Sequence, residues 1–373
     1  MLRLTSAVFS LLLVLGHSAP TQDDVQKLVA YVSTGNGAVN SQLDDAKKVI
    51  DVPTSDQFIN IVFGATNPAT IKTHFVLESD LSSGFDTTYV FGKSCANTAC
   101  RTPAPASLYQ EGGTNLGAWN AGSVKGNLFK DQITLGTAKM DATFGSINDK
   151  TSISNTFDGE FSLGIGNQFA GFQNLRNLGP EKYLTIYRDD SAGNVLIGRN
   201  GHDKCNAAKF YGIVDGHWRI GNSKVEVDGK SVDSKVQFNI HDNTIGIPTE
   251  QYNLLVKDAQ IDPNTKLVGD ANKLKKITFT LGSDTYVLNP ADFTEKTSDN
   301  KFIVKVHATV ESDAAGVVLG VPFLKQNCYV LDGKSDDQTK WQIGVGKHVG
   351  KNSAAMMGAS VVLITALAQL LRF

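Results

Sequence analysis

Apolar and polar positions alternate in short runs along most of this chain, and few segments keep a helical period. Val225–Val232 (VEVDGKSV) alternates on both sides of Asp228-Gly229, the pattern of two strands joined by a tight hairpin turn. Leu184–Tyr187, Val195–Ile197, Ile277–Leu281 and Phe302–Val306 are further short runs of strand character. Helical signals are sparse. One covers Thr249–Val256, opening after Pro248 with Glu250 in its first turn, and a second covers Asp23–Val32. Pattern and abundant glycine together predict a large all-β protein and leave its function open.

Both ends depart from this pattern. Arg3 precedes an apolar core, Ala7–Leu15, and Ser18 and Ala19 offer small residues for cleavage, so residues 1–19 read as an export signal. That core is too short for a membrane span. At the other end Ala354–Leu371 carries no charge, and only Arg372 and Phe373 follow. Small residues in Gly350–Ala355 lie ahead of it, which favours a GPI attachment signal over residues 351–373. The alternative is a single-pass anchor with almost no inner tail, and Arg372 alone is a weak inner flank for one. Either form places the protein outside the cell, secreted or held on the outer membrane face.

The intervening stretch of about 330 residues is enough for one large bilobal unit or for two domains. A net charge of −2 with no basic block argues against a nucleic-acid partner. Four cysteines in an exported chain point to two disulfides: Cys95 and Cys100 can close a tight loop, and by elimination Cys205 meets Cys328. A metal site at the close pair lacks further ligands, because no histidine falls between residues 75 and 201, so neither metal nor cofactor is expected.

Seven segments, in order, resemble the pepsin-like aspartic proteases. Phe58–Thr66 (FINIVFGAT) with Asn67-Pro68 resembles the opening strand and its Gly-Thr-Pro turn, and Lys93–Cys100 (KSCANTAC) the small disulfide loop. Gly122–Gly136 (GSVKGNLFKDQITLG) resembles the strand that carries and follows the flap. Phe157-Asp158-Gly159 with Leu163–Gly166 is similar to FDG…LGLG, and Val195–Asp203 (VLIGRNGHD) to the lobe-crossing segment. Tyr286–Phe293 (YVLNPADF) and Val318–Asp332 (VLGVPFLKQNCYVLD) resemble second-lobe strands. Cysteines placed like Cys205 and Cys328 resemble the nematode branch. The resemblance spans residues 57–347 and implies a bilobal fold of two β-barrel-like lobes, about 57–200 and about 201–347, with a cleft for an extended peptide. Residues 20–56 then stand as a front segment or short propeptide, though not the basic plug usual in the family. A monomer is expected.

Hydrolysis in that family needs two carboxylates sharing one proton across a water, each on an Asp-Thr/Ser-Gly turn. Neither turn is intact here. After Phe75-Val76-Leu77 comes Glu78-Ser79-Asp80-Leu81-Ser82-Ser83. One register puts Glu78 at the aspartate, with Ser79 keeping the hydroxyl. A register shifted by a gap puts Asp80 there. Counting back from Pro248 places the second motif at Asn239-Ile240-His241. Asn239 has the shape of aspartate but cannot take a proton from water at neutral pH. Ile240 lacks the hydroxyl, His241 replaces a glycine, and Asp242, three residues on, faces away if the segment is a strand. At the flap, Trp119-Asn120-Ala121-Gly122-Ser123 stands where the family has Tyr-Gly-Thr-Gly-Ser. Trp119 can donate one hydrogen bond from its indole, or serve in packing alone.

The expectation from these residues is a catalytically impaired homologue that binds a peptide or protein in its cleft. Two alternatives stand beside it. One is an active endopeptidase with a remodelled acid pair, Glu78 or Asp80 with Asp242. The other is a scaffold or protease inhibitor acting through an outer surface.

Overall fold

A computed structural model of the protein describes residues 50–54 and 58–348, except 78–86, 99, 122–123, 150, 152–156, 166–170, 189–192, 202–204, 263 and 310–315. The export signal, the helix expected over 23–32, the C-terminal tail and the site residues Glu78, Ser79, Asp80 and Ser123 lie outside the described residues.

Strands dominate, as the alternation predicts. In the first half they are β1 (Ile50–Thr54), β2 (Phe58–Phe63), β3 (Ala69–Val76), β4 (Tyr89–Phe91), β5 (Thr114–Ala121), β6 (Val124–Leu135), β7 (Ala138–Ile147) and β8 (Gly159–Ser162). Next come β9 (Tyr183–Arg188), β10 (Gly193–Ile197) and β11 (Lys209–Gly212). The second half adds β12 (Arg219–Val227), β13 (Lys230–Phe238), β14 (Ile245–Pro248), β15 (Leu267–Val268), β16 (Ile277–Leu281) and β17 (Asp284–Leu288). It ends with β18 (Thr294–Lys296), β19 (Phe302–Val304), β20 (Val306–Thr309), β21 (Val317–Leu319), β22 (Asn327–Asp332) and β23 (Gln342–Lys347). Among the described residues four short α-helices interrupt them: α1 (Cys95–Thr98), α2 (Gly171–Leu175), α3 (Thr249–Val256) and α4 (Val321–Leu324). Among the described residues no helix is long and apolar enough to cross a membrane.

Two lobes and a shared sheet result. In the first lobe β2-β3-β8-β4-β7-β6 are successive neighbours and β6 pairs again with β2, so six strands close into a barrel with β5 added outside. Closure leaves those strands no free edge. The second lobe is a seven-stranded sheet in the order β17-β16-β12-β13-β21-β14-β20. A six-stranded sheet, β1-β10-β9-β22-β23-β11, draws strands from both halves. Its edge strand β1 comes from the front segment and pairs along its length with β10.

Local chemistry explains several of these elements. Asp228 and Gly229 both take positive φ, 53° and 76°, which is the twist-matched turn that lets β12 and β13 pair closely. Pro248 ends β14 and fixes the entry to α3, since its ring suits a helix start and cannot donate into a ladder. The apolar run at 302–306 divides at Lys305, whose amide bonds Phe293 and whose carbonyl accepts from Ile245, so it feeds two different sheets.

Both disulfides form, Cys95–Cys100 and Cys205–Cys328, and no cysteine is left free. The second joins residues 123 apart and fastens the chain entering the second half to buried β22. Constraint of the unfolded chain grows with loop length. Replacing both cysteines of the long-range bridge by alanine is therefore expected to lower stability by about 2–4 kcal/mol in urea denaturation, and more than the same change at Cys95 and Cys100.

Candidate functional site

The two lobes repeat one local arrangement. In the first, β3 lies parallel to β8, β4 runs antiparallel to β8, and β4 lies parallel to β7. In the second, β13 lies parallel to β21, β14 runs antiparallel to β21, and β14 lies parallel to β20. The connection β13–β14, residues 239–244, is thus the topological counterpart of the connection β3–β4, which carries Glu78, Ser79 and Asp80. These two connections are the places where the resemblance puts the paired acids.

Residues 239–244 form a closely tied turn. The Asn239 amide donates to the Leu319 carbonyl at 2.9 Å, which anchors the turn to β21. Its side-chain Oδ1 accepts from the backbone amides of His241 (2.9 Å) and Asp242 (2.8 Å). Asp242 is therefore part of a turn rather than a strand, so the alternation expected to point it away does not apply. Its Oδ1 accepts from the Thr244 amide and hydroxyl at 2.9 and 2.7 Å, and its carbonyl accepts from Val321. Gly320 passes so close that a Cβ there would lie 2.0 Å from the Thr244 carbonyl oxygen and 2.5 Å from that of Asp242. Only glycine fits at that crossing. Ile240 points into the core, 6% exposed.

His241 reaches the other lobe. Its ring lies 4.2 Å from that of His74 on β3, edge to face at 76°. His74 is buried and stacks on Phe157 at 4.5 Å, with ring planes 4° apart. Its Nδ1 lies 4.0 Å from Oε2 of Glu160, a fully buried side chain directly across the β3–β8 ladder. Burial pushes the His241 imidazole down to about 4, with Asp242 pulling the other way, so the ring is neutral at pH 7. Among the described residues no group of three or more His, Cys, Asp or Glu is arranged to hold a metal ion.

The residue expected at the flap is packed away. Trp119 on β5 is 9% exposed, in a small cluster with Tyr89, Phe91, Val124, Ile147 and the Cys95–Cys100 bridge. Its ring lies on Gly145, where an added Cβ would come within 2.6 Å of it. On the same strand Leu116 is open to solvent, 52% exposed.

The structure therefore brings together Asn239, His241 and Asp242 and joins them to His74 and Glu160, which sequence reasoning missed. The only signal was Glu160 itself, one of two acidic residues in the segment Phe157–Ile165 (FDGEFSLGI). That segment also holds Asp158, whose carboxylate accepts from Arg101 at 2.7 Å and from the amides of Ala106 and Ser107, tying the disulfide loop to β8.

Sequence comparison agrees with this topology. No curated protein matches the chain. The sequence profile of the eukaryotic aspartyl proteases matches residues 77–343, from the end of β3 to the last strand, and so takes in both repeated turns. With the closed barrel, the second-lobe sheet and the paired connections, this establishes that the chain belongs to the eukaryotic aspartyl protease family, with the bilobal pepsin-like fold.

Proposed function

We propose that this chain is a non-catalytic member of its family that binds a peptide or protein in the cleft between its lobes, outside the cell, free or held at the outer membrane face. The observation that carries this is Asn239. An amide stands on the second-lobe turn where the chemistry requires a carboxylate, and its one acceptor oxygen already takes two backbone hydrogen bonds. An amide nitrogen cannot remove a proton from water, and one remaining acid, Glu78 or Asp80, cannot serve as base and acid at once. His241 beside it is held neutral by burial and directed at His74 rather than outward. The two disulfides fit an oxidising compartment.

The test is cleavage of a diverse peptide library by the purified protein from acid to neutral pH, beside a Glu78→Ala/Asp80→Ala/Asp242→Ala variant. No turnover by the folded parent at any pH is expected. Turnover that disappears in the variant would overturn the proposal and establish an acid pair of altered placement.

A further inference from the structure

The second-lobe turn has a defined hydrogen-bonding polarity, and one side chain sets it. Asn239 is half-buried, and its backbone amide is fixed on the Leu319 carbonyl of β21. Its Oδ1 accepts from the amides of His241 and Asp242. Two donors at one end of a planar amide fix which end is oxygen. Nδ2 is then the end directed away from those amides, and among the described residues it has no acceptor. We propose that Asn239 is a recognition residue, offering an N–H donor to an acceptor oxygen of the bound chain, a backbone carbonyl or a terminal carboxylate. This rests on the reading that the cleft holds a peptide or protein, and it adds which group of that ligand the turn takes.

The rest of the turn leaves that donor free. The Oδ1 of Asp242 is engaged by the amide and hydroxyl of Thr244, and its carbonyl by the Val321 amide. Those acceptors are used by the protein itself. Ile240 lies in the core and offers no polar side chain. A carboxylate at position 239 would hold the two amides with one oxygen and present the other as an acceptor. Asparagine holds the same two amides and presents a donor instead. The shape of the turn is kept while the group it offers to a ligand is inverted.

The donor is also positioned before any ligand arrives. Gly320 crosses hard against the carbonyls of Thr244 and Asp242, and Leu319 holds the start of the turn. Little side-chain freedom is left for Asn239 to lose on binding, so the bond forms at low entropic cost. An extended chain turns successive carbonyls to opposite sides, so it can place one on Nδ2 whatever its side chains are. Recognition at this point reads the ligand's backbone and not its sequence.

Capture of peptides on the immobilised full protein, read by mass spectrometry, tests this. One pool holds random decapeptides blocked as C-terminal amides, and a second holds the same sequences with free carboxylates. Asn239→Asp keeps the acceptor that the turn needs and removes the outward donor. At pH 7 it is expected to hold the peptides captured by the parent about 10–100-fold more weakly, because a bond is lost and two acceptors face each other. Below about pH 4 the introduced carboxyl is protonated and donates again, so the variant should regain affinity relative to the parent. An equal loss in both pools assigns the bond to a mid-chain carbonyl, and capture confined to the second pool assigns it to the terminal carboxylate. Cut products, visible in the same spectra, keep cleavage from being read as lost binding.

NMR of the parent supplies the measurement if the variant does not fold: the side-chain amide protons of Asn239 should shift downfield as the tightest captured peptide is added. Unchanged capture by Asn239→Asp, or an Asn239 side-chain signal that stays in place at saturation, would overturn the proposal and leave cleft binding standing. No capture by the parent from either pool would overturn cleft binding and this proposal with it.

Discussion

Replacing Asp158 by alanine is expected to destabilise the protein by about 3–5 kcal/mol, read as a shift in the urea unfolding midpoint. Asp158 and Arg101 are 4% and 3% exposed, and their oxygen and nitrogen lie 2.7 Å apart. The same carboxylate accepts from Ala106 and Ser107, while Arg101 also donates to the carbonyls of Pro103 and Phe157 and covers the Phe91 ring. Alanine would leave a buried guanidinium without its counter-charge and two amides without an acceptor. Such orphaned groups cost more than the intact pair contributes. The double variant Arg101→Ala/Asp158→Ala should therefore be less destabilised than the sum of the two single changes, because it removes both charges together. A loss below about 1 kcal/mol for Asp158→Ala would show that water reaches the pair.

The same pair marks what the sequence could and could not disclose. Strands with one wet face were legible: β13 alternates, β12 does so from Ser223 on, past an irregularity at Ile220–Ser223, and Asp228-Gly229 announces their turn. The helix after Pro248 was legible from its start signal. β8 was a different case. All four of its residues are buried, so no alternation separates inward from outward positions, and Glu160 in its middle reads as an exception with no partner in view. His74 is buried beside it for the same reason, in a run buried from Thr73 to Val76. Their meeting with His241 depends on contact between lobes, which no local pattern encodes. Trp119 was ambiguous because an indole suits both a ligand and a core, and it was the space above Gly145 that decided where its ring lies.

Long-range contact of this kind also sets the second large effect, at Trp218. The side chain is fully buried, and its Nε1 donates to the Leu163 carbonyl at 2.8 Å, so a second-lobe residue bonds the end of the first lobe's β8. Its ring meets Phe172 edge-on at 5.0 Å and stacks on Trp341 at 6.1 Å. Trp218→Ala is expected to lower stability by about 3–5 kcal/mol from the cavity and lost contacts, with the orphaned carbonyl adding to it. Trp218→Phe should cost less, about 2 kcal/mol, since a ring still meets Phe172 and only the donor and part of the volume are lost. Urea denaturation of both variants beside the parent measures the ordering. Equal losses would assign the whole effect to the hydrogen bond, and a small loss in both would mean the lobes do not depend on this core. The expected ordering, alanine well beyond phenylalanine, follows because the aromatic contacts span α2, the start of β12 and the approach to β23, so removing the ring loosens elements from both halves at once.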